Sequence, residues 1–346
     1  MKLNVIKNRQ KYLIFSAILF IFSVLSFTTP LNLGIDMTGW SSAEYTYAKI
    51  DIEKVKGEIK KASEEIKFND KLVINSTNAY KISWDNVLNV TIWFDNSLFE
   101  SSDDTKNIEL WKELSKVKEN FRNTVLNILE KNDDTIVESS YTNIWKSFGD
   151  YIKDTAILTL LIAIIWITLY VAWTFSWVVS WISSYSFALI VVITLFHDVV
   201  IASGLYITVS SFFPEFKIDT FFITALLTIL WYSINDTIVI FDRIRSNLEE
   251  WARKKEDLKS VVDKSIWETL RRSMFTSLTL LFVLVTVFFF WPESISGFIL
   301  IMIFGTIIGT YSSIFVASSL LYEMNKNKKL EIIKKEAYNP DDKIVV

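Results

Sequence analysis

Six stretches of this chain stay apolar for about the length that crosses a bilayer, and no soluble fold accommodates six of them. They run approximately over residues 12–29, 155–174, 183–209, 219–241, 273–291 and 297–322. Each is near the roughly 20 residues that a membrane-spanning helix needs. The 346-residue chain is 51% hydrophobic, with a mean hydropathy of +0.31. The apolar residues lie in long blocks and do not alternate with polar ones, as they would in half-buried strands. The formal net charge of −3 is close to neutral and gives no reason to expect a nucleic-acid partner. With no Cys and a single His, disulfides, a thiolate nucleophile and Cys- or His-rich metal sites are excluded. No cofactor is expected.

The first apolar segment follows Lys2, Lys7, Arg9 and Lys11, as a signal peptide would. It is long for a signal core, and the SFTTP sequence after it lacks a small-x-small cleavage site. A retained helix is therefore predicted. Orientation follows from the cations, which favour the cytoplasmic side. Arg243, Arg245, Arg253, Lys254, Lys255, Lys259, Lys264, Arg271 and Arg272 cluster between the fourth and fifth segments, and the tail NKNKKLEIIKKE is basic again. The stretch 210–218 has only Lys217, and WPESIS has no Lys or Arg. Six spans with both termini in the cytoplasm satisfy all of these at once.

Residues 30–150 then form one extracytoplasmic domain between the cytoplasmic N-terminus with its first helix (1–29) and a five-helix membrane domain (151–322). Residues 323–346 make a cytoplasmic basic tail. Within the external domain the pattern reads strand 41–47, helix 51–66, strand 72–82, strand 87–94, helix 105–130 and strand 135–141. IEKVKGEIKKASEEI repeats apolar positions at helical spacing, and VLNVTIWF has the β-branched and aromatic residues of a strand. The order βαββαβ suits a small ferredoxin-like α+β sandwich. The fold class is an α-helical polytopic membrane protein with six transmembrane helices and that external domain.

ILWYSINDTIVIFDRIRSN, residues 229–247, places Asn235 and Asp236 inside an apolar span. An ionisable residue there is costly and by default functional. Asp236 lies about five residues from the cytoplasmic end, or roughly 8 Å deep. The fifth span starts from the same side with TLRRSMFTS. Arg272 and Thr276 are four apart and share a face, and Thr276 should reach the depth of Asp236. Burial favours the protonated acid and a nearby cation favours the carboxylate, so helix separation would set the protonation state. A static Asp–Arg pair that only fixes helix packing is the alternative.

These residues resemble the SecF family, bacterial protein-export membrane subunits that pair with SecD. The similarity rests on YSINDTIVIFDRIRSN, on LGIDMTG (33–39), FHDVV (196–200), TLRRSMFTS (269–277) and IIGTYSSIFVASSLL (307–321), in order over nearly the whole chain. The resemblance implies membership of the resistance–nodulation–division superfamily and proton-driven assistance of secretory protein translocation in the bacterial plasma (inner) membrane. It assigns proton conduction to Asp236, Arg272 and Thr276. It also implies SecD, the SecYEG translocon with SecA, and a translocating precursor protein as partners, besides the lipid bilayer.

Other polar positions stay open between two readings. His197 and Asp198, mid-span, either extend a polar path or lock helices by a lipid-shielded hydrogen bond. Asn235, a neutral amide, is read as a hydrogen-bonding residue between helices. Gly34, Asp36 and Gly39 are read as a structural turn whose Asp caps backbone donors. The charged run 249–259 is a solvated face.

Where SecF relatives have glycine, this chain has Trp40, Trp231 and Trp291. Gly belongs at close helix approaches and tight turns, and an indole at 231 is expected to wedge the fourth helix from its neighbours or to turn outward to lipid. The chain has 8 Gly and 13 Trp. The inference is that several Trp codons, UGA being the one implied, are read as glycine in the source organism; genuine Trp with compensating repacking is the alternative. Two other functions compete with the export reading: a proton-coupled exporter of lipids or small molecules, and a non-transporting subunit that stabilises the Sec channel. No hydrolase or nucleotide-binding constellation is present in the sequence, and no enzymatic activity is expected.

Overall fold

The structure, a computed structural model, describes residues 4–38, 41–68, 71–82, 86–99, 104–143, 146–176, 182–251, 257–290 and 295–326. It divides into two compact units. One comprises residues 30–158 with 209–223, and the other holds the remaining parts of the membrane helices.

In the first unit, the strands β1 (Ser41–Thr46), β4 (Ile74–Lys81), β5 (Val87–Phe94) and β6 (Val137–Asn143) form a sheet ordered β4-β5-β1-β6, antiparallel throughout. The helices α3 (Ile52–Glu65) and α4 (Asp104–Glu130) provide the two crossovers, giving the split βαββαβ topology that the sequence predicts. The predicted strand 72–82 divides. Lys71–Leu72 (β3) pairs with Lys67–Phe68 (β2) in a separate hairpin, and β4 begins at Ile74. Helix α3 starts where the Asp51 carboxylate accepts the Lys54 amide, the interaction that favours Asp at an N-cap. Val55 and Ile59, four apart, face the core with Leu114, Phe121, Val125 and Leu129 of α4 and the inward residues Leu88, Val90, Ile92 and Phe94 of the central strand.

Among the described residues, six helices are long and apolar enough to cross a membrane: 6–26, 149–175, 185–212, 220–248, 258–290 and 296–325. They include α1 (Arg9–Ser26), α5 (Lys146–Ser176), α6 (Ser184–Phe212), α7 (Thr220–Trp251), α8 (Leu258–Phe290) and α9 (Ser296–Tyr311), the last continued through a π turn, Ser312–Ala317, into α10 (Ser318–Asn325). The third, fourth and sixth spans bury half or more of their residues, whereas the first, second and fifth bury less than a fifth. Helix α8 starts fifteen residues before the apolar segment at 273, because Leu258, Val261, Val262, Ser265, Ile266 and Thr269 give its cytoplasmic end a buried face.

Two seams of small residues bring the central helices together. Along α7 and α9, Gly305 lies against Ile229 and Gly309 against Ser233; a Cβ on Gly305 would stand 2.2 Å from Ile229 Cγ1. One turn on, Thr237 Oγ1 and Ser313 Oγ share a hydrogen bond of 2.8 Å. The constant offset shows two parallel helices in register every four residues, the close backbone approach that small-xxx-small sequences permit. Between α1 and α6, Gly204 meets Ser23, Ser16 bonds His197 at 2.6 Å, and Ser26 bonds Thr208 at 2.8 Å.

Candidate functional site

Helix α7 turns three different faces to its surroundings, and this sorting builds the site. Ser233 and Thr237 face the α9 seam. Tyr232 and Asp236, four apart, face α8. Thr224, Thr228, Trp231 and Asn235 lie on the exposed stripe.

Asp236 is 5% exposed, and its Oδ2 has no hydrogen-bond partner. The Ser273 and Ser277 hydroxyls of α8 stand beside the carboxylate, and Arg272 acts on it electrostatically. Ser273 Oγ is likewise buried and unpartnered. Ser277 donates to the Ser273 carbonyl at 2.7 Å and accepts from Tyr232 OH at 2.8 Å and Thr310 Oγ1 at 2.7 Å. An unsatisfied buried polar group costs about 1–3 kcal/mol, more when charged. Such a group calls for a functional explanation, and a carboxylate oxygen with an unused lone pair beside a hydroxyl is a group able to accept a proton.

Arg272 and Thr276, four apart as expected, are both exposed, and no direct ion pair joins Arg272 to Asp236. The Thr276 hydroxyl turns back on its own helix, donating to the carbonyls of Arg272 and Ser273 at 3.0 Å each. The groups packed against the carboxylate are thus Ser273 and Ser277, one position after each of the expected pair. Tyr232, Ser273, Ser277 and Thr310 were not singled out by sequence reasoning. A signal existed for two of them, since Tyr232 lies four residues before Asp236 and Ser277 four after Ser273.

His197 and Asp198 form a second buried cluster. His197 Nδ1 is 2.8 Å from Asp198 Oδ1, and Asp198 Oδ2 accepts from Ser233 Oγ and, at 2.6 Å, from Ser312 Oγ. Asn235 points to the exposed side. Asp36 accepts the amide of Thr220 at 3.0 Å and its hydroxyl at 2.7 Å, so the backbone donor it caps is at the start of α7 and not in its own turn. Gly34 allows the two segments to meet: a Cβ there would lie 2.7 Å from Asp219 Cβ. Gly39, Trp40 and Trp291 lie outside the described residues. At Trp231 the outward orientation is the one found, and no wedge forms. Its side chain is 73% exposed, because two residues of helix turn it away from the packing face that holds Ile229 and Ser233.

Fold and site together define a six-span membrane protein with an α+β domain inserted after the first span and a protonatable carboxylate buried in the fourth. The family model described as protein export membrane protein SecD/SecF, C-terminal, matches residues 124–327. The protein translocase subunit SecF of Sebaldella termitidis is 31% identical over 331 residues, 95% of this chain and 94% of that protein. That of Calditerrivibrio nitroreducens is 32% identical over 320 residues, 92% of each. The crystal structure of SecDF, a translocon-associated membrane protein from Thermus thermophilus, superposes with a TM-score of 0.69 at 21% identity. That match covers 94% of this chain but 39% of the longer SecDF chain. The chain belongs to the SecD/SecF family and is a SecF-like accessory subunit of Sec protein translocation.

Proposed function

We propose that the chain uses the proton motive force to assist export of secretory proteins, with Asp236 as the group that takes up and releases the proton. The observation that supports this most is the buried, unpartnered Oδ2 of Asp236 beside the unpartnered Ser273 hydroxyl. Arg272 biases the carboxylate electrostatically, and Thr276 with Arg272 forms the open side of the relay. The chain works as a transporter component and not as an enzyme. Its partners are a SecD subunit, the SecYEG channel with its SecA motor, and the precursor in transit. Its place is the bacterial inner membrane, with residues 30–150 outside, 151–322 in the bilayer, and both termini, including the tail 323–346, in the cytoplasm; the Lys/Arg asymmetry supports that orientation.

Two surfaces support the SecD assignment. Helix α7 leaves Asn235 exposed and α8 leaves Arg272 exposed, both on apolar spans, while the exposed Thr228, Thr276, Thr279 and Thr286 return their hydroxyls to their own helix. Polar side chains within membrane helices usually face protein or a water-filled cavity and not lipid, so a second half-transporter covers this face and brings Arg272 and Thr276 into the closed site.

The test is precursor export into proteoliposomes containing SecYEG, SecA, SecD and this subunit. D236N should insert normally and lose the proton-motive-force stimulation, and R272A should impair it. Full stimulation with D236N overturns the reading and leaves a subunit that merely stabilises the channel.

A further inference from the structure

Asp198 has no exposed surface, and four helices converge on it. Its Oδ1 faces His197 Nδ1 at 2.8 Å, and the other imidazole nitrogen reaches Ser16 Oγ of α1 at 2.6 Å. Its Oδ2 accepts from Ser233 of α7 at 2.5 Å and from Ser312 at 2.6 Å, where the sixth span widens into the π turn. π turns inside membrane and soluble helices often mark functional places. Here the widening delivers Ser312 to Asp198 while Ser313, the next residue, bonds Thr237 Oγ1 at 2.8 Å and the Ser233 carbonyl at 3.2 Å.

The consequence falls on Asp236. Ser233 and Thr237 are one turn apart on one face of α7, and Asp236 lies between them in sequence. A helix pinned at two points a turn apart cannot rotate about its axis. At 3.6 residues per turn, pinning Ser233 toward Asp198 directs Asp236 roughly 60° to one side, toward Ser273 and Ser277. A slip of one residue, about 100°, would exchange buried Asp236 for exposed Asn235.

The geometry points to Asp198 as a positioning residue for the proton site: through Ser233 and Ser312 it sets the rotation of the fourth span, with His197 and Ser16 holding its other oxygen. This rests on the assignment of Asp236 as proton carrier, but the rotation can be read without transport. Dicyclohexylcarbodiimide, an apolar reagent for protonated carboxyls in membranes, reports the setting of Asp236 directly when the modified peptide is quantified by mass spectrometry. D236N serves as the blank.

S233A and D198A should each change the rate of modification at Asp236 by threefold or more and reduce stimulated export in parallel. D198N should restore both, because an amide can still donate to the two serine oxygens and accept from the imidazole N–H. The double variant S233A/D198A should be no worse than either single, the non-additivity of residues that act through one another. Since D198A can fail to insert, S233A carries the test alone if needed. Modification and export both at parent levels in S233A, with normal abundance, overturns the proposal while the proton reading stands. Loss of the proton reading appears differently, as full stimulation in D236N, and leaves the labelling result interpretable.

Discussion

Protonation of Asp219 should tighten the strap that ties the segment after the first span to the start of the fourth. The strap is short and well defined. Gly34 N donates to the Ile218 carbonyl at 2.7 Å, Ile218 N to the Asn32 carbonyl at 2.8 Å, and the Asn32 side chain to the carbonyls of Pro214 and Phe216. Closing it buries Asp219 against Gly34. Burial pushes its carboxyl up from 3.8 to about 6, against the Phe222 amide that favours the anion, and neighbouring Asp36 pushes it further. Lys217, over the Tyr80 ring at 5.1 Å, is the cation of the cluster; burial drives it down while Glu44, Asp219 and Asp36 oppose.

The sign follows from where the proton binds more tightly. The closed strap holds the Asp219 proton up to about pH 6, whereas an open strap releases it near the ordinary carboxylate value of about 3.9. Strap stability is therefore full at the acid end and falls as pH rises toward 6, then stays level. Two pH units at about 1.4 kcal/mol each give roughly 3 kcal/mol, or about a hundredfold in the opening equilibrium. D219N removes the titration and keeps the cap, since Asn serves there as well as Asp. Hydrogen exchange at the Gly34 and Ile218 amides, corrected for intrinsic rates, reads the opening. At pH 7.5 D219N should protect both amides more than the parent does, and the gap should narrow toward pH 4. Equal protection at both pH values, or weaker protection in D219N, refutes the reasoning.

Two further outcomes follow from the packing. G305A should destabilise the chain by about 1–3 kcal/mol through overpacking, because the new methyl collides with Ile229. I229A should recover part of that loss in thermal unfolding, and strictly additive losses would show that the seam is not in contact. At Trp231 the exposed indole removes the steric objection within this chain, so the recoding inference rests on the family pattern alone and the letter must be measured. Mass spectrometry of protein from the source organism should give a peptide lighter by the Trp-to-Gly difference at 231, and an intact tryptophan excludes recoding there.

The parts of the fold that were legible are those on which the solvent imposes a length or a period. A bilayer demands some twenty apolar residues per span, and the six segments announce themselves. The external domain was legible because α3 and β5 repeat at 3.6 and 2 residues around one core. What the sequence did not disclose is the rotation of each helix. Hydroxyl residues occur all round these spans, and many return their proton to a carbonyl of their own helix, as Thr168, Thr279 and Thr306 do. Spacing alone therefore could not distinguish Ser273, beside the carboxylate, from Thr276, on the open face. The π turn at Ser312–Ala317 has no sequence signature either.

One rotation accounts for where these side chains stand. With Ile229, Ser233 and Thr237 fixed on the glycine seam, Tyr232 and Asp236 must turn toward α8, and Trp231 and Asn235 must turn out. The same setting leaves Arg272 and Thr276 outward while Ser273 and Ser277 turn in. A carboxylate that met its cation within one chain would form a settled pair. Here Arg272 is exposed and makes no ion pair with Asp236, whose Oδ2 has no hydrogen-bond partner. On the proposed reading, a partner that pressed Arg272 toward Asp236 would set the affinity of the proton site through helix movement.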